Sequence, residues 1–414
     1  PQYDTKTFNP TLIMLELFLN KASRSDTIME LKYGVISVDD HIQETPNLWV
    51  DRLSRAQWGD RIPQIQRQAD GTESWVIDGR PLTLQGGASG GVAAVGGALV
   101  NSVQEPQRWE EVPEMAYVPA QRLEAMDMDG IDYSVLYPNV AGLAGETFGR
   151  ITDPKFELAC VQAYNDWLID EWAATSPRFI PQCIVPIYPM EAAVAEARRA
   201  VGRGHRGIIY PAVPMHLRDG VPHTNEPEYD LLWSLCEELE VPLCLHAGSS
   251  SRIQFPPDED YLSPALASAL RNVTRPISSA KIVANFLYSG ILDRHPDLQV
   301  VFAESTLTWG AFTLEVSDHH SERMRTGAQG HPVLPSELFK RQCFFTAWYD
   351  KTGIKARRHT GGTESILWGT SFPLTTSTWP NSRNYIDRAF KDVPTDERNK
   401  ILWGNAARLY HIEV

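Results

Sequence analysis

Short runs of apolar and β-branched residues recur along the chain and are separated by longer segments with helical spacing. They fall at 35–39, Tyr133-Ser-Val-Leu-Tyr137, 179–186, 207–210, 241–246, 300–304, 343–346 and 366–369. A run that is apolar on both faces suits a strand covered on both sides, which is the parallel-sheet situation. Eight such strands alternating with helices predict an α/β fold, a (β/α)₈ TIM barrel whose chemistry sits at the C-terminal strand ends. Two stretches break the alternation. Residues 1–30 hold Thr11-Leu-Ile-Met-Leu-Glu-Leu-Phe-Leu19, which reads as an amphipathic helical arm because Glu16 interrupts it and no Ala-x-Ala site follows. Residues 45–118 are punctuated by Trp, Pro and Gly, with a glycine-rich run at 86–97, and read as an irregular insertion after the first strand. The expected organisation is therefore an arm at 1–30 and a barrel over 31–414.

Composition narrows the partners. With 38 Lys+Arg against 52 Asp+Glu in 414 residues the net charge is −14, and no basic stripe offers itself to phosphates, so nucleic acid is excluded. Anionic membrane surfaces are equally unsuitable, and no apolar stretch approaches the ~18 residues that a span needs. The five cysteines, Cys160, Cys183, Cys236, Cys244 and Cys343, are odd in number and set in apolar contexts. They read as buried thiols in a reducing compartment, and the expected location is cytoplasmic.

Candidate chemistry appears where the strands end. Polar residues at a buried strand mouth must be desolvated unless something pairs with them, and a metal ion is an economical partner. The first strand offers Asp39, His41 and Glu44, the fifth ends in His246 and the sixth in Glu304. Asp39 and His41 stand two apart, a spacing that puts both on one face of a strand. Carboxylates and imidazoles converging from three strands suit one or two divalent ions, with iron, manganese and zinc all eligible. Further along, Asp318-His-His320 lies on a helix where at most one of the two histidines faces a common point, and His320 is retained as a further ligand candidate.

The segments Val38-Asp-Asp-His-Ile-Gln-Glu-Thr-Pro46, Arg122-Leu-Glu-Ala-Met-Asp-Met-Asp-Gly-Ile-Asp132, Ala163-Tyr-Asn-Asp-Trp167, His246-Ala-Gly, Phe302-Ala-Glu-Ser305, Leu367-Trp-Gly, Ser377-Thr-Trp-Pro-Asn-Ser382 and Asn405-Ala-Ala-Arg-Leu-Tyr410 resemble the amidohydrolase superfamily. Within it they look like the amidohydrolase-related branch that includes aromatic-acid decarboxylases. The resemblance covers about 30–414. It implies a divalent metal held by Asp39, His41 and His246, with Glu304 where relatives carry His or Glu. It also implies a homodimer or higher oligomer. One departure stands out: relatives typically read Trp-Gly-Ser-Asp-Tyr-Pro-His after the eighth strand, and this chain reads Trp368-Gly-Thr-Ser-Phe-Pro-Leu374. Ser371 thus replaces the Asp that binds metal and shuttles a proton in relatives, and a serine hydroxyl of ordinary acidity cannot serve as that base.

Three functions follow as expectations. The loss at 371 with a carboxylate-rich remainder favours non-heme iron chemistry, in which open coordination positions activate oxygen and a substrate is hydroxylated. The alternative is a divalent-metal decarboxylase or hydrolase of a small acid or amide, with Glu304 recruited as the base beside His246 and Asp39. A metal-free cyclase or binding protein on a decayed scaffold is the third. The substrate is expected to be a small, largely apolar, ring-bearing molecule, met by Phe372, Leu374 and Trp379 and, for a carboxylate, by Arg122 or Arg206.

Overall fold

The computed structural model describes residues 30–82, 92–95, 99–100, 105–247, 264–325 and 333–414. The predicted arm, apart from Glu30, and most of the glycine-rich run lie outside them. Eight parallel strands form the centre: β1 (Ile36–His41), β2 (Tyr133–Tyr137), β3 in two pieces (Phe179–Pro181 and Cys183–Ile184), β4 (Ile208–Ile209), β5 (Leu243–His246), β6 (Val300–Ala303), β7 (Cys343–Ala347) and β8 (Ile366–Trp368). Every residue of these strands is buried, as their apolar runs require. β1 pairs with β2 and β2 with the first piece of β3, while the second piece opens the series β3-β4-β5-β6-β7-β8.

The ring closes just past the end of β8. The Ser371 amide donates to the Asp39 carbonyl at 2.8 Å, and the His41 amide donates to the Phe372 carbonyl at 2.6 Å. Gly369 permits this approach, since a Cβ there would lie 2.7 Å from the Asp39 Cβ. The first and last strands of the barrel are therefore stitched together through the residues that carry the candidate chemistry.

Helices cover the ring: α1 (Pro119–Asp129), α2 (Pro154–Trp167), α3 (Met190–Gly202), α4 (Asp230–Leu239), α5 (Pro264–Tyr288), α6 (Thr308–Arg325), α7 (Pro335–Gln342) and α8 (Ser382–Ala389). Local sequence sets their ends. Pro119 opens α1, and Asp153 caps α2 by accepting from the Lys155 and Phe156 amides. Gly130 ends α1 in the left-handed region at φ 74°. Between β1 and α1 the chain forms short helices and a three-stranded antiparallel sheet, Gln64–Arg67, Glu73–Ile77 and Arg80–Pro81. Trp49 from this region packs edge-on against Trp75 and Phe148, which joins it to the barrel core. All five cysteines are buried and unbridged. Among the described residues, no helix is long and apolar enough to cross a membrane.

Candidate metal centre

Strand alternation decides which side chains meet. On β1, Asp39 and His41 share the face turned into the barrel, and His246 at the end of β5 reaches them from across the ring. The three residues offer ligand atoms that all lie within 4.8 Å of one another, and all three are buried. Asp39 Oδ1 stands 3.6 Å from His41 Nε2 and 3.4 Å from His246 Nε2, too far for good hydrogen bonds and close enough to share a cation. Among the described residues, both Asp39 oxygens and His41 Nε2 have no hydrogen-bond partner. Burial pushes the Asp39 carboxyl up, but the two imidazoles outweigh it and hold the group well below the usual carboxylate range. Desolvation works against a charged His246, and Asp39 more than compensates, so its pKa is raised. Buried polar atoms left without partners are costly. Two imidazole nitrogens and one carboxylate, buried and within 4.8 Å of one another, fit a divalent cation. Among the described residues this is the one such group of three or more.

The remaining ligand candidates stand apart from this group. Glu304 lies on the other edge of the His246 ring, with Oε2 3.7 Å from Nδ1. That is where a carboxylate orients a metal-binding imidazole rather than where it joins the metal. Arg275 on α5 approaches both Glu304 oxygens at 3.5 Å and is a quarter exposed, so a cation faces the mouth beside the pair. The sequence reading missed Arg275, since it sits mid-helix with no motif around it. Glu44 is not drawn toward the triad. Its carboxylate accepts from the amides of Asn139 (3.2 Å), Val140 (2.8 Å) and Ala141 (3.1 Å), and so serves the loop after β2. Burial pushes its pKa up to about 7 against the pull of those amides. His320 and His319 are both exposed on α6, which removes them from a buried centre.

The expected substrate contacts also find other partners. Arg122 is fully buried, donates to the carbonyls of His41 (2.7 Å), Met115 (2.9 Å) and Ala116 (3.3 Å), and stacks on the Phe372 ring at 4.4 Å. It steadies β1 from outside the barrel rather than meeting a carboxylate. Trp379 packs edge-on against Phe372 and donates through Nε1 to the Ala125 carbonyl at 3.0 Å, which ties the segment after β8 to α1. Leu374 is at the edge of burial, with its amide bonded to the Ser371 carbonyl at 2.9 Å. Arg206 donates to the Tyr410 and His411 carbonyls near the C-terminus.

Ser371 itself is buried beside Asp39, and among the described residues its Oγ has no hydrogen-bond partner. Its backbone is left-handed at φ 55°, as is that of Glu304 at φ 52°. Each such conformation costs about 1–3 kcal/mol in a residue with a side chain, and both occur where a strand turns sharply into the mouth.

Residues 112–412 match the model of the Amidohydrolase family. A 2-amino-3-carboxymuconate-6-semialdehyde decarboxylase of Dictyostelium discoideum is 20% identical over 299 residues, which is 72% of this chain and 78% of the relative. An amidohydrolase of Mycobacterium avium subsp. paratuberculosis superposes with a TM-score of 0.71 at 21% identity, covering 92% of this chain and 98% of that one. A dihydroxybenzoic acid decarboxylase of Polaromonas, solved with manganese and the inhibitor 2-nitroresorcinol, superposes with a TM-score of 0.59 at 17% identity, covering 92% and 98%. The parallel barrel expected from the sequence is thus also the fold of these structures.

Proposed function

Because the chain belongs to the amidohydrolase family and is a metal-dependent enzyme of that superfamily, we propose that it removes CO₂ from a small ring-bearing carboxylic acid. The observation that carries this reading is the buried Asp39–His41–His246 group, with its ligand atoms within 4.8 Å of one another, taken with relatives that are decarboxylases. The oxygen chemistry favoured on sequence loses ground, since the similar proteins named above include decarboxylases and no oxygenase. The donor set, two histidines and one carboxylate, is nevertheless one that non-heme iron also uses, so metal identity belongs in the test.

Asp39, His41 and His246 would hold the ion, with manganese or zinc the first choice and iron the second. A divalent ion there supplies a Lewis acid that polarises an oxygen of the bound acid. Among the described residues, Arg275 would receive the substrate carboxylate, because Arg122 and Arg206 are committed to backbone carbonyls. In the reaction the bond between the ring carbon and the carboxylate breaks, CO₂ leaves, and the ring carbon takes up a proton. Ser371 cannot supply that proton at ordinary acidity. Glu304, next to His246 Nδ1 and Arg275, is the acid in reach and is assigned to carry it at its Oε atoms.

The test pairs elemental analysis of the purified protein with CO₂ release from hydroxylated benzoates. About one manganese or zinc per chain is expected, with CO₂ release that disappears in Glu304→Gln while the metal stays. Bound metal with no CO₂ from any aromatic acid tested would sink the reading, and an iron protein that consumes oxygen would move it to hydroxylation.

A further inference from the structure

The loop after β2, residues 138–146, is pinned with unusual completeness. Glu44 takes the amides of residues 139, 140 and 141, and the buried Glu146 takes those of Leu143 and Ala144. The Gly142 amide donates to the Asn139 carbonyl and the Gly145 amide to the Gly142 carbonyl, both at 3.0 Å. Every backbone donor from 139 to 145 is therefore bonded. The Asn139 side chain is the opposite case. It is 3% exposed, and among the described residues neither Oδ1 nor Nδ2 has a hydrogen-bond partner. A buried primary amide offers two donors and an acceptor, and leaving all of them unspent is costly unless something outside the chain uses them.

Position says what that is. The Pro138 carbonyl, one residue before Asn139, lies 3.4 Å from His41 Nδ1. The loop thus adjoins His41 of the metal group, on the β1–β2 side, while Arg275 stands beside Glu304 after β6. A buried carboxylate such as Glu44 is an expensive way to shape a loop, and an accurate amide position is what it secures.

We propose that Asn139 is a ligand-binding residue that reads a hydroxyl on the ring of the bound acid, with Glu44 as its positioning residue. A hydroxyl both donates, here to Oδ1, and accepts, here from Nδ2, so it complements the amide better than hydrogen or a methyl group does. This rests on the aromatic-acid reading above and adds the substituent that selects among such acids.

The experiment titrates the protein, with its metal content measured, against 2,6-dihydroxybenzoate and benzoate by calorimetry or ligand-observed NMR. Wild type is expected to prefer the hydroxylated probe. Asn139→Ala should weaken that probe at least tenfold and benzoate less than twofold, with metal content unchanged. Glu44→Gln should fail in the same direction by a smaller factor, and Asn139→Ala decides alone should that variant not fold. Equal retention of both probes by Asn139→Ala, or no preference for the hydroxyls in wild type, overturns the role of Asn139 and leaves the carboxylate reading standing. Binding of neither probe by wild type removes the aromatic-acid reading and this inference with it.

Discussion

Asp39 and Asp40 are consecutive on one strand, equally buried, and arranged for opposite ends. Asp39 faces the barrel interior with both oxygens unpartnered among two imidazoles. Asp40 faces outward and accepts from Ser37 Oγ (2.7 Å), Thr370 Oγ1 (2.5 Å) and Ser134 Oγ (2.5 Å), with Arg122 nearby. Burial raises the Asp40 pKa, and its hydroxyl partners only partly counter that. One aspartate is satisfied by the protein and holds β1, β2 and the end of β8 together. Its neighbour is left unsatisfied, which is how a site waits for a ligand. The lesson is that burial of a carboxylate says little about its role until its partners are counted.

That contrast can be broken from either side. The largest effect is expected on the unsatisfied side: His246→Ala should weaken metal binding by at least about a hundredfold while the barrel stays folded. Full metal occupancy in dialysis against a chelator would remove His246 from the ligand set. On the satisfied side, Asp40→Ala leaves three hydroxyls without their buried acceptor, and should cost about 3 kcal/mol of stability. Its urea midpoint should fall, and a variant that keeps its midpoint but loses metal would erase the distinction between the two aspartates.

Glu44 offers a test by pH. Its pKa is pushed from the ordinary 4.5 up to about 7 in the folded protein, so the folded state binds a proton that the unfolded state releases first. Its contribution to stability is then full below pH 4.5, declines as pH rises, and is gone above about 7, a swing of about 3 kcal/mol for a buried group. Subtracting the profile of Glu44→Gln from that of wild type should reveal this slope, and a flat difference would show that the loop amides keep the carboxylate ionised. The smallest effect is expected at the closing seam, where Ser371→Asp adds a fourth donor beside Asp39 and should tighten metal about tenfold. Unchanged affinity would mean that residue 371 does not face the ion.

The barrel was legible because eight doubly buried strands must be continuously apolar, a pattern that few other folds impose. Asp39, His41 and His246 were legible for a related reason, since a period of two and a strand end fix both face and height. Glu44 and His320 were not, because the strand periodicity that aimed the others reaches neither. Glu44 sits three residues past β1, where the chain has turned, and His320 rides on an outer helix face. Arg122 was misjudged for a different reason: a lone arginine carries no sign of whether carbonyls or a carboxylate will meet it. Asn139 and Arg275 carry no such signal: Arg275 sits mid-helix on α5, and Asn139 stands two residues past β2, where an uncharged amide looks like any other loop residue.

The seam between β1 and the segment after β8 also bears on biosynthesis. His41 and Asp39 lie among the first residues of the barrel to be made, yet their backbone partners are Phe372 and Ser371. A chain still emerging from the ribosome can hold all three donors and lack the strand that fixes two of them in place. The donor set is therefore expected to be fully positioned only in a nearly complete polypeptide, and an ion held there would fasten the barrel at that joint.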